Sequence, residues 1–167
     1  NDTARKRLVA SDLALAPTPG LEAPVPAAGG GNLPEVSVGA LAQALKRAVE
    51  TAFGVGFRHI DTADMYGNEV EVGQGLRASG LKRSDAFITT KVLPSNIGPG
   101  DLQRSAQSSL GKLGVDYVDL LLIHWPNAAI PLEKSIEALC DARKRGYAKN
   151  IGVANFTRGM VDETVTL

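Results

Sequence analysis

The sequence predicts an α/β protein built from repeated strand–helix units, because two kinds of apolar periodicity alternate along its 167 residues. Stretches with apolar residues three or four positions apart indicate helices, and the short apolar stretches between them indicate strands. After a first helix, a strand followed by a helix occurs four times, and glycines close most of the helices. Repeated units of this kind build a parallel sheet through right-handed crossovers.

The N-terminal part of the chain differs in composition from the rest. Residues 1–40 contain most of the prolines and three consecutive glycines, Gly29–Gly31, which predicts loops and turns with at most a short hairpin. From Leu41 onwards apolar residues recur at helical spacing, and the first helix is predicted over residues 41–53. We therefore divide the chain into a loop or hairpin segment, 1–40, and a segment of regular structure, 41–167.

Four strands and four helices follow in strict alternation. The strands are predicted over residues 57–63, 86–92, 117–125 and 148–155. The helices are predicted over residues 68–79, 101–113, 132–145 and 158–166. The third strand is apolar on both faces through Leu120–Ile123, which is typical of a parallel sheet covered on both sides. Glu69 and Glu71 open a helix, where negative charge is favourable, and are assigned no further role.

Two architectures share this order of elements: an open doubly wound sheet and a (β/α) barrel. Doubly wound proteins that bind dinucleotides carry Gly-x-Gly-x-x-Gly between a strand and a helix. Gly29 and Gly31 could begin such a motif, but no convincingly apolar strand precedes them and no glycine follows three residues later. The match to this motif is therefore weak.

The composition argues against several classes of function. Lysine plus arginine and aspartate plus glutamate both number 18, so the chain lacks the basic excess that attracts nucleic acid or an anionic membrane. No apolar run approaches the length of a membrane span. Cys140 is the only cysteine, so no internal disulfide can form, which fits a reducing compartment and predicts a cytoplasmic location.

Polar side chains that can carry chemistry stand where the predicted strands end. Asp61, Lys91, His124 and Asn155 end the first, second, third and fourth strands in turn, and Tyr66 lies in the loop after the first. Catalytic groups of a β/α barrel come from the carboxyl ends of several strands. An ion pair between Asp61 and Lys91 that serves the fold alone would explain two of these residues. It would not explain Tyr66 and His124.

A functional interpretation accounts for the acid, the phenol, the amine and the imidazole together. A phenol is a weak acid near neutral pH, and an adjacent ammonium stabilises the phenolate. Tyr66 beside Lys91 could therefore donate a proton to a carbonyl oxygen while a hydride reaches the carbon. Asp61 would hold Lys91 in place and charged, and His124 would orient the substrate oxygen. Trp125 would offer an apolar wall to the substrate.

Five segments that contain these residues resemble the aldo-keto reductases, especially bacterial members similar to diketogluconate reductases. The segments are GFRHIDTA at 56–63, YGNE at 66–69, ITTK at 88–91, LLIHWP at 121–126 and IGVANF at 151–156. Their order and spacing also resemble those of the family. The resemblance covers about residues 20–167 and is weak before residue 41.

The resemblance implies a (β/α)8 TIM barrel that binds NADPH, or sometimes NADH, and reduces a small-molecule carbonyl substrate without a metal. The family's catalytic tetrad falls on Asp61, Tyr66, Lys91 and His124. Asn155 matches the residue that holds the nicotinamide carboxamide, so Asp61 and Asn155 are expected on the cofactor side of the site. Tyr66, His124 and Trp125 are expected on the substrate side.

The sequence departs from the family pattern at three places. Ala154 stands where a serine is usual, and Gly29–Asn32 stands where the family has a Gly-x-Gly-Thr turn. The matched region ends in the helix after the fifth family strand, so residues 41–167 are expected to form a partial barrel of about four to five parallel strands. Alternatives to an active enzyme are therefore an inactive partial reductase, which could self-associate, and a binding subunit of the same fold.

Overall fold

The computed structural model describes residues 7–9 and 37–167, which form a five-stranded parallel sheet flanked by five α-helices. The strands are β1 (Arg7–Val9), β2 (His59–Asp61), β3 (Phe87–Val92), β4 (Val118–Ile123) and β5 (Ala148–Val153). The helices are α1 (Val38–Gly54), α2 (Glu69–Ala78), α3 (Asp101–Leu113), α4 (Leu132–Lys144) and α5 (Arg158–Thr166). Among the described residues, no helix is both long and apolar enough to cross a membrane.

The order of the strands resolves the choice between the two architectures. The strands lie in the sheet as β1-β2-β3-β4-β5, each parallel to its neighbour. A doubly wound sheet would reverse direction at a switch point, whereas consecutive neighbours are the arrangement of a β/α barrel. The structure thereby confirms the predicted fold class, a partial barrel with parallel strands.

The hydrophobic core lies between the sheet and the helices. Alternate strand residues point outwards and are buried there, among them Ile60, Ile88, Leu121 and Ile123. Helical side chains meet them from the other side, including Val72, Leu76, Leu102, Leu113 and Leu139. Because this layer holds most of the buried apolar residues, it fixes the strands from outside and leaves their inner face to the functional side chains.

The element bounds differ from the predicted ones in the first helix and at the strand ends. The predicted strands 57–63, 117–125 and 148–155 are shorter in the structure, so that His124 and Asn155 follow their strands rather than end them. Helix α1 begins at Val38 rather than at residue 41, because the Ser37 side chain caps it and accepts a hydrogen bond from the Ala40 N–H at 3.2 Å. Strand β1 pairs in parallel with β2, a pairing that the sequence analysis did not predict. Residues 10–36, which make up most of the predicted loop or hairpin segment, lie outside the described residues.

Two glycines allow α2 to pack closely between its neighbouring helices. A methyl group at Gly73 would lie 2.1 Å from the Leu113 carbonyl oxygen at the end of α3. One at Gly75 would lie 2.6 Å from the Cβ of Val49 on α1. Larger residues at either position would push the helices apart, so the distance between α2 and α3 depends on Gly73.

Replacing Gly73 with alanine is expected to destabilise the fold by about 1–3 kcal/mol, because the new methyl group meets backbone rather than a flexible side chain. Gly111→Ala is the matched control, since a methyl group at this helical position meets nothing within 4 Å. The control should gain up to about 1 kcal/mol from the better helix propensity of alanine. Urea unfolding of both variants checks this, and equal stability of the two would contradict it.

Candidate active site

The structure gathers the residues predicted from the strand ends at one end of the sheet. Asp61 is the last residue of β2, and His124 directly follows β4. Lys91 lies in register with Leu122 on β4, two positions before His124 on the same side of the strand. Asn155 follows β5 by two residues. Four separate strands thus contribute side chains to one end of the partial barrel.

Asp61 and Lys91 form a buried ion pair. Their side chains are 4% and 8% exposed, and the Lys91 ammonium donates to Asp61 Oδ1 and, at 3.0 Å, to the carbonyl oxygen of Thr62. Burying two charges is costly unless they are paired and hydrogen-bonded, which both are here. An ammonium has three N–H groups, so Lys91 keeps one donor beyond these two contacts. That donor is available to a third group.

Tyr66 stands next to this pair. It ends a short 3-10 turn, Asp64–Tyr66, in which its N–H donates to the Ala63 carbonyl oxygen at 3.0 Å. The next residue, Gly67, has a φ of 63°, a conformation that suits glycine. Lys91 Nζ lies 5.1 Å from the centroid of the half-buried Tyr66 ring. The phenol is therefore close to a positive charge and still accessible to a ligand.

His124 completes the group from the opposite side. Its ring meets the Tyr66 ring edge to face, with centroids 5.7 Å apart and an interplanar angle of 87°. Its backbone N–H donates to the Val92 carbonyl oxygen at 3.1 Å, which continues the pairing of β3 with β4. Burial lowers the pKa of the imidazole, the Lys91 charge lowers it further, and the Asp61 carboxylate partly opposes both. His124 is thus neutral near pH 7.

The neutral imidazole has hydrogen-bonding capacity to spare. His124 Nδ1 is buried and has no hydrogen-bond partner among the described residues. Buried polar atoms are nearly always paired, so this nitrogen leaves part of the hydrogen-bonding capacity of the imidazole unused. The Asp61, Lys91, Tyr66 and His124 side chains together form a site with one acid, one cation, one phenol and one neutral imidazole.

Asn155 and Trp125 lie at the edge of this site. Asn155 has a positive φ of 60°, which asparagine tolerates better than most residues, and its Nδ2 donates to the His124 carbonyl oxygen at 2.8 Å. Its own side-chain carbonyl oxygen faces no donor in any of the described hydrogen bonds. Trp125 is 48% exposed, so a large part of its ring is open to contact. The roles assigned to both residues remain predictions.

A second charged group behind Tyr66 was missed by the sequence analysis. Glu69 is 1% exposed, and its Oε1 accepts a hydrogen bond from the Thr90 hydroxyl at 2.6 Å. Lys112, on α3, donates to Asp64 Oδ1 at 2.5 Å and lies 3.4 Å from Glu69 Oε2. Favourable charge at a helix start does not account for so buried a carboxylate, and no local sequence pattern points to Lys112.

Comparisons with known proteins place these features in context. The model of the Aldo/keto reductase family matches residues 29–165. Methylglyoxal reductase DkgB of Salmonella typhi is 42% identical over 120 residues, which cover 71% of this chain and 45% of that protein. An aldo-keto reductase of Mycobacterium ulcerans is 45% identical over 125 residues, covering 73% of this chain and 44% of that protein.

Solved structures show the same likeness. An aldo/keto reductase from Brucella melitensis superposes with a TM-score of 0.70 at 38% identity, covering 75% of this chain and 49% of that one. A structure described as a 2,5-diketo-D-gluconic acid reductase B gives a TM-score of 0.73 at 41% identity, covering 75% of this chain and 44% of that one. The chain spans a little under half the length of the relatives it matches.

The lowered pKa of His124 predicts a specific dependence of stability on pH. Above the ordinary histidine pKa of 6.5, His124 is neutral in the folded and unfolded chain alike. Below it, the unfolded chain takes up a proton that the folded chain resists, so the free energy of unfolding decreases by up to about 1.4 kcal/mol per pH unit. Unfolding at pH 7.5 and 5.5 should show a larger loss for the wild type than for His124→Asn. Equal losses would refute this assignment.

Proposed function

The chain belongs to the aldo/keto reductase family, and from this premise we propose that it carries the catalytic centre of an enzyme that reduces aldehydes or ketones to alcohols with NADPH. NADH is the alternative cofactor. The observation that carries the proposal is the meeting of Tyr66 with the Asp61–Lys91 ion pair and the neutral His124 at one end of the sheet. An ion pair that served only the fold would need neither the phenol nor the imidazole beside it.

Each of the four residues has a separate role in the proposed reaction. When bound, the reduced nicotinamide supplies a hydride to the carbonyl carbon. The carbonyl oxygen then gains an electron pair and takes the proton of the Tyr66 hydroxyl, which yields the alcohol. The Lys91 ammonium stabilises the phenolate that remains on Tyr66, and Asp61 holds the ammonium in place. The phenolate regains its proton from solvent.

His124 and two neighbouring residues orient the reactants. As a neutral imidazole, His124 can donate a hydrogen bond to the substrate oxygen, where negative charge develops. Trp125 gives the substrate an apolar wall next to this oxygen. Asn155 is bonded to the His124 backbone through its N–H group, which leaves its carbonyl oxygen for the nicotinamide carboxamide. Asp61 and Asn155 thus form the cofactor side of the proposed site.

A second candidate, an inactive partial reductase or a binding subunit, is favoured by the open parts of the fold. The inner face of the sheet lines a cavity of about 650 Å³ that reaches Asp61, Thr89 and Leu122. In a complete barrel this space is filled by side chains from all strands. Val38 and Leu41 on α1 are 85% and 65% exposed. Self-association would cover such surfaces.

The remaining parts of the proposal follow from composition and family. The proposed binding partner of the protein is a small carbonyl compound, and neither a nucleic acid nor a membrane. The proposed location of the protein is the cytoplasm. Since a similar protein of Salmonella typhi is called a methylglyoxal reductase, methylglyoxal is the first compound to test. A small, reactive dicarbonyl suits a site whose substrate wall is a half-exposed tryptophan.

Consumption of NADPH by the purified chain with methylglyoxal is expected to depend on the Tyr66 hydroxyl. Tyr66→Phe should lower the rate by roughly 100- to 10,000-fold, because it removes the general acid and leaves the ring. Tyr147→Phe is the matched control, since its hydroxyl lies outside the proposed site and accepts a hydrogen bond from the exposed Gln107. Absorbance at 340 nm measures both. A folded wild-type chain that consumes no cofactor would favour the second candidate.

A further inference from the structure

Lys112 reaches from the outer helix layer to the turn that carries Tyr66. Its ammonium donates to Asp64 Oδ1 at 2.5 Å, two residues before Tyr66, and lies 3.4 Å from Glu69 Oε2, three residues after it. We call this three-residue contact of Asp64, Lys112 and Glu69 the Lys112 bridge. It contacts the chain on both sides of Tyr66, before it at Asp64 and after it at Glu69.

The Lys112 bridge continues to the strand that carries Lys91. The other carboxylate oxygen of Glu69 accepts the hydroxyl hydrogen of Thr90 at 2.6 Å, and Thr90 directly precedes Lys91 in β3. Both Glu69 and Thr90 are 1% exposed, so water does not compete for this hydrogen bond. Through these contacts the loop of Tyr66 and the strand of Lys91 are tied to the same carboxylate.

Short-range contacts also hold the segment around Tyr66, among them a hydrogen bond from the Thr62 hydroxyl to Asn68 Oδ1 at 2.5 Å. The backbone of this segment makes two short-range hydrogen bonds, from Tyr66 N–H to Ala63 and from Gly67 N–H to Asp64. Among the ion pairs of the described residues, Lys112 is the only cation that meets Asp64 or Glu69. The hydrogen bond to Asp64 raises the pKa of Lys112, so the Lys112 ammonium stays charged near neutral pH.

We propose that Lys112 is a positioning residue for Tyr66, holding the phenol at its place beside Lys91 and His124 through Asp64 and Glu69. This inference rests on the proposed function, because positioning matters only if Tyr66 transfers a proton. A displacement of about 1 Å in a reacting group can cost roughly 100-fold in rate, so a remote anchor of this kind has a measurable effect. An ion pair that merely joined α2 to α3 would leave the Tyr66 ring unmoved.

The deciding measurement is the ring signal of Tyr66 in the full chain, which needs neither cofactor nor turnover. The sequence has only three tyrosines, so carbon-13 labelling of tyrosine gives a simple NMR spectrum, and Tyr66→Phe assigns the signal. Lys112→Met should shift or broaden the Tyr66 signal, and Lys112→Arg should largely restore it. The signals of Tyr117 and Tyr147 should stay in place in both variants.

Two further variants keep the test independent of global stability. Asp64→Ala cuts the link to the turn but leaves Lys112 beside the buried Glu69, so it should displace the Tyr66 signal even where Lys112→Met folds poorly. Lys134→Met is the matched control, because it removes an exposed lysine whose ion-pair partner, Glu137, lies on the same helix. An unchanged Tyr66 signal in Asp64→Ala and in any folded Lys112→Met protein overturns the proposal.

Turnover gives the second readout where the wild-type chain is active. Lys112→Met should lower kcat by roughly 10- to 100-fold with little change in KM, since it affects the placement of the acid and not the substrate contacts. An unchanged kcat would also overturn the proposal. If the wild type shows no turnover, the proposed function has failed, and the NMR signal still decides whether Lys112 positions Tyr66.

Discussion

The rest of the site depends on the buried ion pair between Asp61 and Lys91. Two opposite charges inside a protein are tolerated only when they are close and hydrogen-bonded, so β2 and β3 must be neighbours. Asp61 is in register with Thr89, and Lys91 lies two residues further along β3. The pair therefore constrains the sheet as well as the chemistry. It also places a positive charge in a spot that water hardly reaches, 5.1 Å from the centroid of the Tyr66 ring. This charge adds to the effect of burial in lowering the pKa of His124.

The helices determine where the Tyr66 phenol lies relative to the Lys91 charge. Tyr66 is on a turn and not on a strand, so its position depends on what holds the turn from outside. Because Gly73 has no side chain, α3 can pack closely against α2. This close packing brings Lys112 within reach of Asp64 and Glu69. The packing of the outer helices and the position of the Tyr66 phenol are thus connected through the buried Glu69 carboxylate.

The described part of the chain is a partial barrel that brings Asp61, Tyr66, Lys91 and His124 together at one end of its sheet. Its strands follow each other in the sheet, and within the described residues β5 pairs only with β4. An open strand edge and an unfilled inner face favour association with other chains. The chain matches a little under half the length of the relatives reported above.

From the first helix onwards the sequence by itself determined the order of the elements and the fold class, and it singled out the four residues that the structure brings together. Helix spacing and glycine stops are local signals, which is why the bounds of α3 and α5 agree with the predicted ones to the residue. The polar residues near the strand ends could also be predicted from the sequence, because the carboxyl ends of parallel strands lie at the same edge of a sheet. The tertiary structure alone decided the pairing of β1 with β2 and the contact of Lys112 with Asp64, which are 48 positions apart. Such contacts depend on how closely whole helices and strands pack, and no short-range pattern records that distance.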